Sequence, residues 1–334
     1  MAGPAHQAPM IDGCGRRIDY VRISVTDRCN LRCTYCMAED MTFLPRRDLL
    51  TLDEIAQLAR HLVARGVRRI RLTGGEPLVR RGVMDLVRAL GAMWSEGLEE
   101  VTLTTNGTLL ARDARALFAA GVRRVNVSLD TLDPARFALI TRGGRISDVI
   151  AGINAALAAG LTVKVNMVAL KGVNDAELVD MVRWCGERGC DLSLIETMPL
   201  GEIGGGRRET FLPLSDARAV LEDAFALLPT THRTAGPARY FEIAETGRRV
   251  GFITPLTDNF CAACNRIRIS ATGTVYACLG REERVELRDI LRDGRFADLD
   301  RALFSLLADK PARHDFDIDR RKPAVSRHMS VTGG

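Results

Sequence analysis

Long apolar runs are missing from this chain of 334 residues. None approaches the roughly 20 residues that a helix needs to cross a bilayer. The stretch Met1 to Asp12 lacks the charged-then-apolar pattern of an export signal, so a cytoplasmic location is the expectation. Cysteine is then expected to be reduced and available to metal. Lysine is scarce: only Lys164, Lys171, Lys310 and Lys322 stand among 47 basic residues. The first explanation of that ratio is the codon bias of a GC-rich genome. Aromatics are 5% and no dense basic tract interleaves them, so neither a nucleic-acid groove nor a membrane partner is indicated. No GxxxxGK[ST] occurs, which excludes a P-loop nucleotide site. No internal repeat of fixed period and no low-complexity segment stands out. What remains is 46% hydrophobic and 27% charged, the balance of a soluble globular protein. A net charge of +5 mildly favours an anionic ligand.

The length suggests two structural units or one barrel-sized domain. Residues 1–16 read as a loose leader. Short β-rich runs then alternate with helical stretches. The runs are Ile18–Val25, Arg68–Thr73, Val101–Thr105, Val122–Ser128, Thr162–Val168 and Asp191–Ile195. Helices are expected at Leu52–Arg65, Val83–Met93, Ala111–Ala119, Ile146–Ala159 and Ala176–Glu187. Glycines at 66, 121, 160 and 189 supply helix stops. Such alternation implies a parallel sheet with helices outside. Six units are too few for a full barrel, which leaves a partial barrel or an open sheet. After 200 the pattern breaks. Leu200–Arg208 reads as a mobile glycine-rich loop and Leu214–Leu228 as one more helix. Ala238–Ile243, Arg248–Ile253, Ile267–Ala271 and Thr274–Ala277 read as antiparallel pairs, and helices are expected at about 285–292 and 297–307.

Nine cysteines fall into three groups of three. Cys29, Cys33 and Cys36 form CxxxCxxC directly after the first strand. Cys261 and Cys264 form CxxC, with Cys278 following. Cys14, Cys185 and Cys190 have no ligand spacing and read as bystanders. Structural zinc takes four closed ligands. A [4Fe–4S] cluster takes one cysteine per iron, so three cysteines leave one iron open to a small molecule. On spacing alone, cluster and zinc both stay in play. After the second strand comes Thr73-Gly74-Gly75-Glu76-Pro77. A Gly-Gly pair at a strand end lets a ligand approach the backbone, and Glu76 can accept from an amine.

CxxxCxxC after strand one with GGEP after strand two resembles the radical S-adenosylmethionine superfamily. The second trio, in CAACNRIR with Cys278, and the terminal Gly-Gly make the chain similar to the GTP 3′,8-cyclase family. That family catalyses the first step of molybdenum cofactor biosynthesis. The resemblance runs from about Tyr20 to the end. It implies an α/β fold: a partial (β/α)6 radical S-adenosylmethionine barrel at 17–228, with a C-terminal extension at 229–334 containing antiparallel strands and helices. It implies two [4Fe–4S] clusters, one on Cys29, Cys33 and Cys36 that binds S-adenosylmethionine, the other on Cys261, Cys264 and Cys278 facing the guanine. Tyr35, Gly75, Ser128 and Met198 match cofactor positions. Arg22, Arg71, Thr104, Lys164, Arg266 and Arg268 match GTP positions. The implied chemistry is cleavage of the cofactor to a 5′-deoxyadenosyl radical, hydrogen abstraction from the 3′ carbon of GTP, and closure onto carbon 8. The implied partners are GTP, a flavodoxin- or ferredoxin-like electron donor or chemical reductant, and the downstream cyclic pyranopterin monophosphate synthase. A homodimer is left open.

The residues themselves support part of this. Arg22 and Arg71 lie on strands; facing inward they need an anion, and a triphosphate is one. Facing outward at an edge they would need nothing. Arg266 and Arg268 alternate on one strand face beside the CxxC. Gly333 and Gly334 can thread where a side chain would clash, so the tail either reaches the site or frays. Two other readings are compatible with the cysteine pattern: a different radical enzyme with an auxiliary cluster, such as a peptide-modifying maturase, and a zinc-stabilised binding protein.

Overall fold

A computed structural model describes residues 8–201, 206–320 and 323–333. Six strands, β1 (Tyr20–Ser24), β2 (Arg69–Thr73), β3 (Glu100–Thr105), β4 (Arg124–Ser128), β5 (Thr162–Val168) and β6 (Asp191–Ile195), lie side by side in sequence order, all parallel. Between them run α1 (Leu52–Ala64), α2 (Val83–Gly91), α3 (Leu110–Ala119), α4 (Pro134–Thr141), α5 (Ile146–Ala158) and α6 (Leu178–Glu187). The first helix shows why. Thr51 and Glu54 form a reciprocal capping box, and Ile55, Leu58, Ala59, Leu62 and Val63 make one buried stripe.

Every parallel strand alternates. Val21, Ile23, Ile70, Leu72, Val163 and Val165 belong to the apolar core. Their neighbours Arg22, Arg71, Lys164 and Asn166 line cavities. Period-two patterning puts these two sets on opposite faces. Apolar burial, worth roughly 1.5–3 kcal/mol per large side chain, therefore lies between sheet and helices, and the barrel interior stays polar. A fully closed eight-stranded barrel would fill that interior with branched apolar side chains.

The C-terminal part continues the same sheet. After α7 (Leu214–Ala224) come β7 (Leu227–Pro229), β8 (Arg239–Ile243), β9 (Arg248–Ile253), β10 (Arg266–Ile269), β11 (Thr274–Tyr276) and β12 (Arg284–Glu286). The antiparallel pairs are present, β8 with β9 and β10 with β11. However, β9 also joins β6 in parallel, and β10 joins β1 in parallel. The sheet thus has twelve strands in the order β12-β11-β10-β1-β2-β3-β4-β5-β6-β9-β8-β7 and does not close. The expected helix Leu214–Leu228 is shorter: Phe225 turns to extended backbone, and Leu227–Pro229 pairs with β8. Pro134–Thr141, not among the expected helices, is helical, started by an Asp133 cap and Pro134. Then follow α8 (Arg288–Arg292), α9 (Phe296–Ala308) and α10 (Met329–Thr332).

Part of the presumed leader is packed. Met10 is buried, and Asp12 accepts from the Arg16 guanidinium at 2.6 Å. Residues 1–7 lie outside the described residues, as do 202–205 of the glycine-rich loop and Gly334. Among the described residues no helix is long and apolar enough to cross a membrane.

Candidate active site

The loop after β1 carries the first thiol trio. Its backbone is fastened to α4, with Arg32 N donating to Thr141 O and Thr34 N to Ile140 O. Cys36 N donates to Cys33 O at 3.0 Å, which folds the trio into one turn. Asn106 Nδ2, at the end of β3, sits 3.7 Å from Cys29 Sγ. The Tyr35 hydroxyl donates to Asp130 Oδ2 at 2.6 Å. Burial pushes the Cys36 thiol up to about 12, and Cys33 also rises strongly. Such thiols stay protonated unless a metal supplies compensating charge.

The glycine pair has a local reason besides a ligand. A Cβ on Gly75 would stand 2.4 Å from Arg28 O, and one on Gly74 2.5 Å from Thr26 O. The close approach is by the backbone of the cysteine loop itself. The fully buried Glu76 carboxylate accepts from Leu78 N (3.0 Å), Asn106 N (2.6 Å) and Thr105 Oγ1 (2.8 Å). It ties the turn after β2 to the end of β3 and keeps one acceptor position, on Oε2, for a further donor. Burial raises this carboxyl to about 7.

Cys29, Cys33 and Cys36 open onto one cavity together with Tyr35, Gly75, Ser128 and Met198. Thr104, matched to GTP by sequence, is in this wall as well. A second cavity is lined by Arg22, Arg71, Lys164, Arg266, Arg268, Cys261, Cys264 and Cys278. The two cavities share Asn166, Ile195, Met198 and Met329 as walls. They are adjoining compartments of one barrel interior.

The second compartment is strongly cationic. Arg22, Arg71 and Lys164 are each at most 7% exposed. Among the described residues none of them pairs with a carboxylate. Arg22 Nε and Arg71 Nε have no partner at all. Lys164 donates to the Tyr240 hydroxyl at 3.1 Å, and Arg71 reaches the Asn126 amide oxygen in its satisfied orientation at 3.1 and 3.2 Å. Burial and mutual repulsion push Arg22 and Lys164 well below their ordinary range and Arg268 down to about 9. Unpaired buried cations of this kind are tolerated only where an anion is to be held. For the Cys264 thiol, burial acts upward, but Arg266 and Lys310 outweigh it and leave the thiol below its ordinary value.

The C-terminal segment spans both compartments. Ala324 N and Gly201 N form backbone bonds across to Pro199 and Val325, at 3.1 and 3.0 Å. Arg327 donates to Cys278 O and Leu279 O. Beyond α10, the Gly333 carbonyl accepts from Arg268. Gly333 has φ +74°, and a Cβ there would overlap Thr73 Oγ1.

Each trio lines one cavity with three thiols and, among the described residues, no fourth cysteine, a donor set that suits an iron–sulfur cube with one iron left open. Sequence reading did not single out Asp130, Asn166 or Met329. Asp130, two residues after Ser128, was within reach of that reading; Asn166 and Met329 depended on the fold.

Residues 23–185 match the radical SAM superfamily, and residues 190–316 match the molybdenum cofactor synthesis C family. A GTP 3′,8-cyclase of Rhizobium etli is 56% identical over 98% of this chain and 94% of its own length. One of Rhodopseudomonas palustris is 58% identical over 98% and 96%. The fold is similar to that of Streptococcus suis SuiB solved with S-adenosylmethionine, with a TM-score of 0.59 at 18% identity. That match covers 83% of this chain and 66% of SuiB. With both cysteine motifs in place and relatives this close over nearly the full length, the chain belongs to the GTP 3′,8-cyclase family of the radical S-adenosylmethionine superfamily.

Proposed function

We propose that this chain converts GTP to (8S)-3′,8-cyclo-7,8-dihydroguanosine 5′-triphosphate, a radical lyase reaction that opens molybdenum cofactor biosynthesis. The observation that carries the reading is the shared wall between a thiol-lined compartment and a cation-lined one. A reagent generated in the first faces Asn166, Ile195, Met198 and Met329, which also line the second, where the substrate would be held.

Cys29, Cys33 and Cys36 would hold a [4Fe–4S] cluster with S-adenosylmethionine, and Cys261, Cys264 and Cys278 a second cluster. When bound, the first pair supplies one-electron cleavage of the sulfonium to a 5′-deoxyadenosyl radical. The protein's own part is placement. Tyr35, Gly75, Ser128 and Met198 bound the cofactor's compartment. Arg22, Arg71, Lys164, Arg266 and Arg268 meet the triphosphate with charge-assisted bonds that no protein carboxylate competes for. Thr104 borders the cofactor side, and its hydroxyl, buried and unpartnered, is free to meet a ribose oxygen there. Gly333, whose carbonyl meets Arg268, closes the space beside that cation and keeps water from the reacting carbons. We retain 17–228 as the cofactor-binding core and 229–334 as the region that completes the substrate side. The proposal includes a flavodoxin- or ferredoxin-like donor, transfer of product to cyclic pyranopterin monophosphate synthase, and a cytoplasmic setting. A homodimer is compatible with it.

Anaerobic reconstitution with iron and sulfide, then incubation with GTP and S-adenosylmethionine, tests the reading. The expected result is 5′-deoxyadenosine and a cyclised nucleotide in step with each other. Zinc in place of iron, or 5′-deoxyadenosine with GTP unchanged, would refute it.

A further inference from the structure

Lys310 is one of only four lysines in the chain, and it is buried, at 4% exposure, just after α9. Its Nζ stands 3.5 Å from Cys264 Sγ. Among the described residues no carboxylate pairs with it. The segment is held in place from both sides. Lys310 N donates to Leu307 O at 3.1 Å. Arg16, itself anchored on Asp12, donates to Pro311 O at 2.8 Å, to Ala312 O at 3.2 Å and to Cys261 O at 2.8 Å. One guanidinium thus ties the lysine's segment to the first cysteine of the second trio.

A buried ammonium needs an anion. A neutral thiol is a poor acceptor, whereas an iron-bound thiolate is anionic and accepts a charge-assisted bond. A cube held by three thiolates is net negative and becomes more so on reduction. A fixed cation at one sulfur therefore favours the reduced state, and hydrogen bonds to cluster sulfurs are an established lever on potential. Arginine would bring a planar fork in place of a compact point charge.

We propose that Lys310 sets the reduction potential of the second metal centre by donating its ammonium to the Cys264 sulfur. This rests on reading Cys261, Cys264 and Cys278 as cluster ligands. No bond is made or broken; the couple is the one-electron reduction of that cluster.

The test is a dithionite titration of the reconstituted full chain, followed by electron paramagnetic resonance without GTP. The parent is compared with Lys310→Met and Lys310→Arg, and the Cys29–Cys33–Cys36 centre serves as reference within each molecule. In Lys310→Met the reduced-to-oxidised ratio of the second centre should fall about tenfold at fixed potential, close to 59 mV for one electron. The reference centre should not move, and Lys310→Arg should recover most of the difference. Parent-like titration of both centres, or an equal shift in both, overturns the proposal. If Lys310→Met loses iron that Lys310→Arg regains, the charge is needed to hold the centre, which supports it. Iron that neither variant regains means packing alone, and the proposal fails. A parent that binds iron for one cluster, with a spectrum unchanged by Cys264→Ala, overturns the ligand reading itself and is recognisable as such.

Discussion

The two ends of the barrel interior bury opposite charges. Around the first thiol trio the buried ionisable groups are acids: Glu76, Asp130 and Glu196. Around the second they are bases: Arg22, Arg71, Lys164 and Lys310. Six similar cysteines therefore stand in two contrasting fields. An end with acids suits a sulfonium with an ammonium group, and an end with unpaired cations suits a triphosphate. The contrast follows position along the strands: Glu76, Asp130 and Glu196 stand just past the ends of β2, β4 and β6, whereas Arg22, Arg71 and Lys164 lie within β1, β2 and β5.

The hardest test of that division is to remove one thiol from each end. Cys33→Ala should abolish 5′-deoxyadenosine formation altogether. Cys264→Ala should leave the cofactor cleavable but yield no cyclised nucleotide. Both products are resolved by chromatography and mass spectrometry. Equal loss of both products in the two variants would mean that the ends do not have separate tasks.

The tail comes next. Deleting Gly333 and Gly334 should abolish cyclisation, and Gly333→Ala should reduce it at least tenfold. A Cβ at 333 has to overlap Thr73 Oγ1, and the left-handed backbone adds strain of order 1 kcal/mol. Retained cofactor cleavage in these variants would assign the tail to the cationic end. Full cyclisation after deletion would refute its role.

How much of this was visible beforehand follows the range of the interactions involved. β5 and β6 were legible to the residue, because alternation and flanking glycines are local signals. So was CxxxCxxC. The parallel joins of β9 to β6 and of β10 to β1 were not, since a hairpin announces its own partner but not the distant edge it will extend. Arg22 and Arg71 could have faced either way; the helices packed on the opposite face of the sheet turned them toward the cavity. The bonds that Thr105 and Asn106 give Glu76 were not legible, because both arrive from another strand. Lys310 carried no motif, and its meaning depends on a sulfur 46 residues away.

A smaller effect is expected at the cationic end. Arg22→Met should weaken GTP binding about ten- to hundredfold, which corresponds to one charge-assisted bond of roughly 1.5–3 kcal/mol. The same substitution should raise the melting temperature of the unliganded protein, because it removes a buried cation without a counterion. Weaker binding together with a lower melting temperature would show that Arg22 already has an internal partner, and the contrast between the ends would lose its base side.

The remaining effect belongs to the acid end and is read as stability, not as activity. Burial raises the Glu76 carboxyl to about 7. A carboxyl raised in the folded state holds its proton more tightly there than in the unfolded chain. Its contribution is therefore most favourable below the unfolded value of about 4.5 and declines as pH rises through 7. The whole decline is about 3 kcal/mol. Chemical denaturation of the unliganded protein across that window should show it. Glu76→Gln should flatten the profile, since an amide does not titrate. At low pH the variant should be less stable than the parent, since its NH2 has no lone pair to offer the donors Leu78 N, Thr105 Oγ1 and Asn106 N, and the gap should narrow as pH rises through 7. A variant as stable as the parent and equally pH-dependent would place the titration elsewhere, and the acid end would then be polar without being strained.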